Sequence, residues 1–265
     1  MRELRRETRD WGGRFSAFST EDSFYLAEDE HVNMYVISLR RSLSRSSLSQ
    51  GLRKEQGADV TIFEAFDGLA DIHPGLINKY AGVRKRAYLK VALSMSHEDA
   101  LQNYQLYSHG KLKDDLIRFS LHERLRFGCY LSHVLLWEEI VRKQVSFAII
   151  LEDDVVLGTS FVARVRKVMN SLPKSWGIVY FDGCFRKFGL PWRLGLHQSK
   201  GGLCTHAYAI SWMAAKAIIS GPALHSDKAV DHMLDEAVIN GVVSAFHVDP
   251  PLVSLSQNTS TTLAY

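Results

Sequence analysis

The sequence predicts an α/β fold: a mainly parallel central sheet flanked by helices, with an inserted helical and loop subregion. Three observations carry this. Val32 to Leu39 and Phe147 to Leu151 are almost continuously apolar, the pattern of strands buried on both faces. Such runs alternate with segments of helical period, as in sheets whose connections are helices. Carboxylates gather where the predicted strands end, the edge at which open α/β sheets bind ligands.

The elements follow in order. The charged segment 1–30 reads as an N-terminal arm. After the Val32–Leu39 strand come Arg40, Arg41 and Arg45, on a turn and the start of a helix, where cations suit either a nucleotide diphosphate or a solvated helix face. Val60 to Phe66 is a further strand, ending at the turn signal Asp67-Gly68. Residues 71–123 hold Pro74-Gly75 and the basic Arg84, Lys85, Arg86 and Lys90, and read as helices and loops beside the sheet. A helix runs from Phe127 to about Lys143, because Tyr130, Val134, Trp137 and Val141 repeat at helical spacing. Ser132 and His133 lie beside that apolar face, where a histidine is either a packed, hydrogen-bonded core residue or part of a site.

Downstream, Phe161 to Leu172 predicts an amphipathic helix stopped by Pro173, and Trp176 to Phe181 a strand ending at Asp182-Gly183. Gly201-Gly202 reads as a flexible join into a strand from Thr205 to Ile210, followed by a helix from Met213 to Ser220. Asp231 and Asp235 share a face of the next helix, and Val242 to Val248 is the last strand. The domain therefore spans 31–257, with a polar tail at 258–265.

Composition excludes several classes. A net charge of +3, from 32 basic against 29 acidic residues, is too balanced to argue for nucleic acid. Three cysteines without metal-ligand spacing make a disulfide framework unexpected, so reduced thiols are predicted. No apolar run can span a bilayer. No apolar stretch follows Arg2, Arg5, Arg6 and Arg9, so no secretory signal is read, and a cytoplasmic protein, peripheral at the inner membrane face, is expected. If the N-terminus is trimmed, the endoplasmic reticulum lumen is the alternative, and Asn258-Thr259-Ser260 becomes a glycosylation sequon.

The chemistry centres on Glu152-Asp153-Asp154. Ionised groups are costly to bury alone, so these acids need either a cation or the N-terminus of a following helix. Asp182 and Asp231 put further carboxylates at the ends of other segments. Glycine-rich phosphate loops, a serine nucleophile elbow and zinc-spaced cysteines are all missing from the sequence. Oxygen-ligand metal chemistry on a phosphorylated substrate is what this inventory supports, with Mg²⁺ and Mn²⁺ both fitting.

Several stretches carry a resemblance. They are Met34-Tyr35-Val36-Ile37-Ser38-Leu39-Arg40-Arg41 with Arg45, Phe63-Glu64-Ala65-Phe66-Asp67-Gly68, and Phe127-Gly128-Cys129-Tyr130-Leu131-Ser132-His133 with Trp137. Ala148-Ile149-Ile150-Leu151-Glu152-Asp153-Asp154-Val155, Thr205-His206-Ala207-Tyr208-Ala209-Ile210-Ser211, Val230-Asp231 and Pro251-Leu252-Val253 continue it. Together, over Val32 to Gln257, they resemble glycosyltransferase family 25, which holds lipooligosaccharide and collagen hydroxylysine galactosyltransferases. The resemblance implies a GT-A-like fold, a UDP-sugar donor (UDP-galactose above all), a Mn²⁺ or Mg²⁺ ion, and inversion at the anomeric carbon. It implies Glu152 and Asp154 as metal ligands and Asp231 as catalytic base, with Asp182 in reserve. Arg41, Arg45, Asp67, Ser132, His133 and Asp153 are implied as donor contacts or supports. The acceptor is then a glycan or glycolipid such as lipooligosaccharide, and collagen hydroxylysine the alternative. A catalytically silent relative that binds a glycan or partner protein, and a metal-dependent nucleotidyltransferase or phosphohydrolase, are the rival readings.

Overall fold

The computed structural model describes residues 23–256 except 28–29, 41, 43–44, 56, 194, 222–223 and 225–226. Most of the expected N-terminal arm, Arg41, and the polar tail with its sequon lie outside the described residues. The elements are β1 (Val32–Ser38), α1 (Arg45–Arg53), β2 (Ala58–Glu64), α2 (Pro74–Tyr80), α3 (Val83–Ala92), α4 (His97–Ser108), α5 (Asp115–Arg142) and β3 (Phe147–Glu152). Then come β4 (Val155–Leu157), α6 (Phe161–Met169), β5 (Ile178–Tyr180), β6 (Arg186–Pro191), β7 (Leu196–Gly202), β8 (Ala207–Ser211), α7 (Trp212–Ser220), α8 (Val230–Ile239), β9 (Ala245–Val248) and β10 (Val253–Leu255). Among the described residues no helix is long and apolar enough to cross a membrane.

The eight-stranded sheet has the order β2-β1-β3-β8-β5-β9-β7-β6, with β8 and β7 running against the other six. It is the mainly parallel α/β arrangement that the sequence implies, six of the eight strands running the same way. Both faces are covered, which is why its central strands read as continuous apolar runs. Along β3, Ala148 and Ile150 join the core under α5, α7 and α8, while Phe147, Ile149 and Leu151 join the core under α1 and α6. Strand parity then turns Glu152 toward α5.

Helix α5 fixes the centre of the molecule. It starts twelve residues before the expected Phe127, capped by Asp114, whose carboxylate accepts the amides of Leu116 and Ile117 at 3.0 Å. Its first half was illegible because surface residues such as Arg118 and His122 interrupt the apolar period. Where α5 crosses the Asp67-Gly68 turn, a Cβ on Gly128 would lie 2.6 Å from the Gly68 nitrogen. Only glycine permits that approach. The crossing is locked by Ser132, whose hydroxyl accepts the Phe66 amide at 2.8 Å and donates to the Gly128 carbonyl at 2.8 Å.

Three further expectations are corrected. Asp153 and Asp154 cap no helix: they form a turn into β4, which pairs antiparallel with β10, and α6 begins only at Phe161. The cysteines are not all reduced: Cys184 and Cys204 form a disulfide, and Cys129 alone is free. The odd count misled because Cys129 is a packed residue of α5 beside the core, not an unmatched partner. Gly201-Gly202, expected as a flexible join, ends β7, where the Gly202 amide donates to Asp235 at 2.8 Å.

Candidate functional site

The acids predicted from sequence converge at the carboxyl ends of β3 and β5. Glu152 ends β3, and β8 pairs antiparallel beside it, so the Glu152 amide bonds the His206 carbonyl at 2.8 Å. This pairing brings Thr205 and His206 to the acidic cluster from far along the chain. Thr205 donates to Glu152 Oε1 at 2.9 Å. His133 Nε2 lies 3.2 Å from the same oxygen, its Nδ1 is 2.8 Å from the Tyr208 hydroxyl, and Trp137 Nε1 donates to that hydroxyl at 2.9 Å. Trp137 can only donate, so it is the donor end of a chain of bonds that links Tyr208, His133 and Glu152. His133 is thus a buried support that orients Glu152. Burial opposes the Glu152 charge, yet the His133 hydrogen bond, the nearby His206 and Thr205 hold its carboxyl well below the ordinary range.

Among the described residues three groupings could offer metal ligands, each with ligand atoms within 4.8 Å of one another. In Cys184–Cys204–His206 the sulfurs are spent in the disulfide. In Cys129–His133–Glu152 both imidazole nitrogens are engaged, and burial with the charges of Glu152, Asp231 and Asp154 pushes the Cys129 thiol up, keeping it protonated. Glu152, Asp154 and His206 are left. Two carboxylates and one imidazole fit Mn²⁺, while Mg²⁺ takes oxygen ligands in preference to nitrogen.

Asp182, just past β5, places Oδ2 3.8 Å from His206 Nδ1, and Cys184 Sγ lies 3.7 Å from the same nitrogen. Asp182 is 4% exposed, and neither of its oxygens has a hydrogen-bond partner of normal geometry among the described residues. Burial therefore pushes its pKa up to about 7, against the pull of His206. The sign of the consequence is fixed. Below the unfolded value of 3.8 both states are protonated; as pH rises from there to about 7 the unfolded chain loses the proton that the folded carboxyl keeps, so stability falls. Above about 7 the loss is complete. Asp182→Asn is expected to match wild type near pH 4 in EDTA and to be more stable at pH 8, by at most about 4 kcal/mol. Thermal denaturation across pH reads this directly, and equal stability at pH 8 would refute it.

Asp231 sits in the first turn of α8, 2% exposed, with Oδ1 accepting the His232 amide at 2.7 Å. Its charge, like those of Glu152 and Asp154, helps to push up the pKa of the Cys129 thiol, so all three act on that side of α5. The other predicted residues lie differently. Asp153 turns back to β1, accepting Ser38 Oγ at 2.5 Å. Asp67 accepts the Leu69 amide at 2.9 Å and shapes its own turn, while Ser132 is the tie described above. Arg45 opens α1, and Arg41 is outside the described residues. Arg40 pairs with Glu64 at 2.6 Å on the surface. Sequence reasoning missed His206 as a ligand, since only the β3–β8 pairing puts it beside Glu152.

A central sheet that ends in a carboxylate–imidazole cluster defines the class. The family model "Glycosyltransferase family 25 (LPS biosynthesis protein)" matches residues 31–188, and the chain belongs to that family. The matched range includes Glu152, Asp154 and Asp182 and stops before His206 and Asp231. Probable inactive glycosyltransferase 25 family member 3 of Rattus norvegicus is 31% identical over 120 residues, 40% of this chain and 20% of that protein. Procollagen galactosyltransferase 2 of Homo sapiens is 22% identical over 150 residues, 56% of this chain and 20% of that protein. The chain spans about a fifth of the length of these curated relatives. Among solved structures, mouse xyloside xylosyltransferase 1 in its apo form shares 10% identity, with a TM-score of 0.34 over 83% of this chain and 75% of that one.

Proposed function

We propose that the protein is a metal-dependent inverting glycosyltransferase that moves a hexose, galactose above all, from a UDP-sugar to a glycan or glycolipid acceptor. The observation that carries this is the Glu152–Asp154–His206 cluster at the end of the central strand, with the buried Asp231 of α8 as a further carboxylate. Those three residues would hold the cation. When bound, a divalent cation supplies Lewis-acid stabilisation of the departing diphosphate. Arg41 and Arg45, after β1, serve as diphosphate contacts in this reading. Asp231 takes the proton of the acceptor hydroxyl as its oxygen bonds to the anomeric carbon and the bond to the diphosphate oxygen breaks, with inversion. His133 holds Glu152 in place throughout.

The test is a panel of UDP-sugars assayed for UDP release with and without Mn²⁺. One UDP-hexose is expected to be turned over in a Mn²⁺-dependent manner; release of sugar phosphate in place of UDP would favour a nucleotidyltransferase or phosphohydrolase. A second reading has its own support, since several similar relatives are named inactive. A silent glycan- or partner-binding protein predicts no heat of UDP binding in Mn²⁺, whatever the sugar. The Cys184–Cys204 disulfide supports an oxidising compartment over the cytoplasm, and with it a collagen-type acceptor over lipooligosaccharide.

A further inference from the structure

Strand β5 and the bend after it bury a phenol without a partner and a carboxylate with only poorly aligned backbone ones. Ile178 and Tyr180 point into the core under α5, α7 and α8, whereas Val179 and Phe181 point into the other. Asp182, two residues after Tyr180 in the bend that follows β5, is close enough for its charge to act on the Tyr180 phenol. The Tyr180 hydroxyl is buried, the residue being 1% exposed, and among the described residues it has no hydrogen-bond partner, while the oxygens of Asp182 have none of normal geometry and only the backbone amides of Cys184 and Ala207 nearby to offset their burial. Native proteins seldom leave such atoms unpaired, and when they do a ligand or ordered water accounts for it.

The surroundings define what fits. Asp182, Asp235 and Asp231 are close enough for their charges to act on the Tyr180 phenol, and with burial they keep its proton in place. Asp235 is already satisfied by the Gly202 amide at 2.8 Å and Lys187 Nζ at 3.2 Å, so that end of the seam is closed. The open end is at Asp182, 3.8 Å from His206. An anion is repelled there. A bare cation would suit the carboxylate but not the phenolic proton. A group that both donates and accepts, as a hydroxyl does, satisfies both.

We propose that Tyr180 and Asp182 form a subsite for the ring hydroxyls of the hexose carried by the nucleotide-sugar donor. The subsite rests on the nucleotide-sugar reading above, because the sugar is joined to the diphosphate and Asp182 adjoins His206 of the cluster that faces it. Pro251 packs on Gly183, the residue after Asp182, and the turn around Pro251 must shift to admit the ring.

Tyr180→Phe tests this in the full chain, since it removes one oxygen and keeps the packing. Binding of UDP and of each UDP-hexose is measured by calorimetry in Mn²⁺, with thermal melting alongside. Wild type is expected to bind one UDP-hexose more tightly than UDP. Tyr180→Phe and Asp182→Asn should each lose about tenfold of that preference with UDP affinity unchanged, and Tyr180→Phe should melt no lower than wild type. If Tyr180→Phe keeps the full preference, the unpaired atoms hold ordered water only and the proposal falls. It also falls if Tyr180→Phe melts lower and loses UDP itself, since the phenol is then structural. If wild type binds neither nucleotide, the nucleotide-sugar reading fails and free methyl hexosides become the probe. Their binding, lost in Tyr180→Phe, would sustain the subsite alone; no binding by wild type overturns it too.

Discussion

Asp154→Ala is expected to abolish the gain in UDP affinity that Mn²⁺ confers and to lower transfer by about 10³-fold. Asp154 is 5% exposed, in the turn between β3 and β4, and offers one of three ligand atoms within 4.8 Å. A site with one ligand of three removed holds a divalent ion poorly, and the stabilisation of the leaving diphosphate goes with it. His206→Ala should reproduce the loss, because the same cluster is broken from β8. Asp153→Ala should cost less than about tenfold, since that carboxylate is turned away to Ser38. Three neighbouring substitutions thus give a pattern that a general loss of acidic charge would not. Calorimetry with Mn²⁺ and UDP reads binding independently of turnover, and EDTA should reduce wild type to the Asp154→Ala level. A variant that still binds UDP in a Mn²⁺-dependent manner would remove Asp154 from the cluster.

Parts of this arrangement were legible because local physics writes them into consecutive residues. A strand buried on both faces must be apolar at every position, so β3 showed as a run, and acids directly after such a run demand an explanation. Other parts exist only through pairing over long sequence distances. His206 lies between a threonine and an alanine with no ligand spacing around it, and it becomes a ligand candidate when β8 docks against β3. The β6–β7 hairpin is half exposed, with glycine and basic residues in both strands, so its pattern lacks the clean alternation that announces a strand. The short β4 and β10 strands are too brief for any period, and only their mutual pairing makes them strands. The disulfide likewise closes between two loops whose proximity the sheet decides, so counting cysteines could not reveal it.

Asp231→Asn is expected to reduce kcat by about 10²–10⁴-fold while leaving affinity for the UDP-sugar within about twofold of wild type. The asymmetry follows from position. Asp231 comes from the first turn of α8, not from the sheet, and is no member of the Glu152–Asp154–His206 grouping. The His232 amide fixes Oδ1, leaving Oδ2 as the oxygen that takes the acceptor's proton. An amide at that position keeps the shape and the helix start but accepts a proton far less readily. Asp231→Glu, which restores the carboxylate on a longer arm, should recover part of the rate, whereas a merely structural aspartate would be rescued by Asn and not by Glu. Asp182 supplies the contrast. It borders His206 and the sugar subsite, so Asp182→Asn should raise KM for the donor more than it lowers kcat. Steady-state kinetics on the two variants separate the roles. If Asp182→Asn abolishes turnover at saturating donor while Asp231→Asn stays near wild type, the base belongs to β5 and the assignment to α8 is wrong.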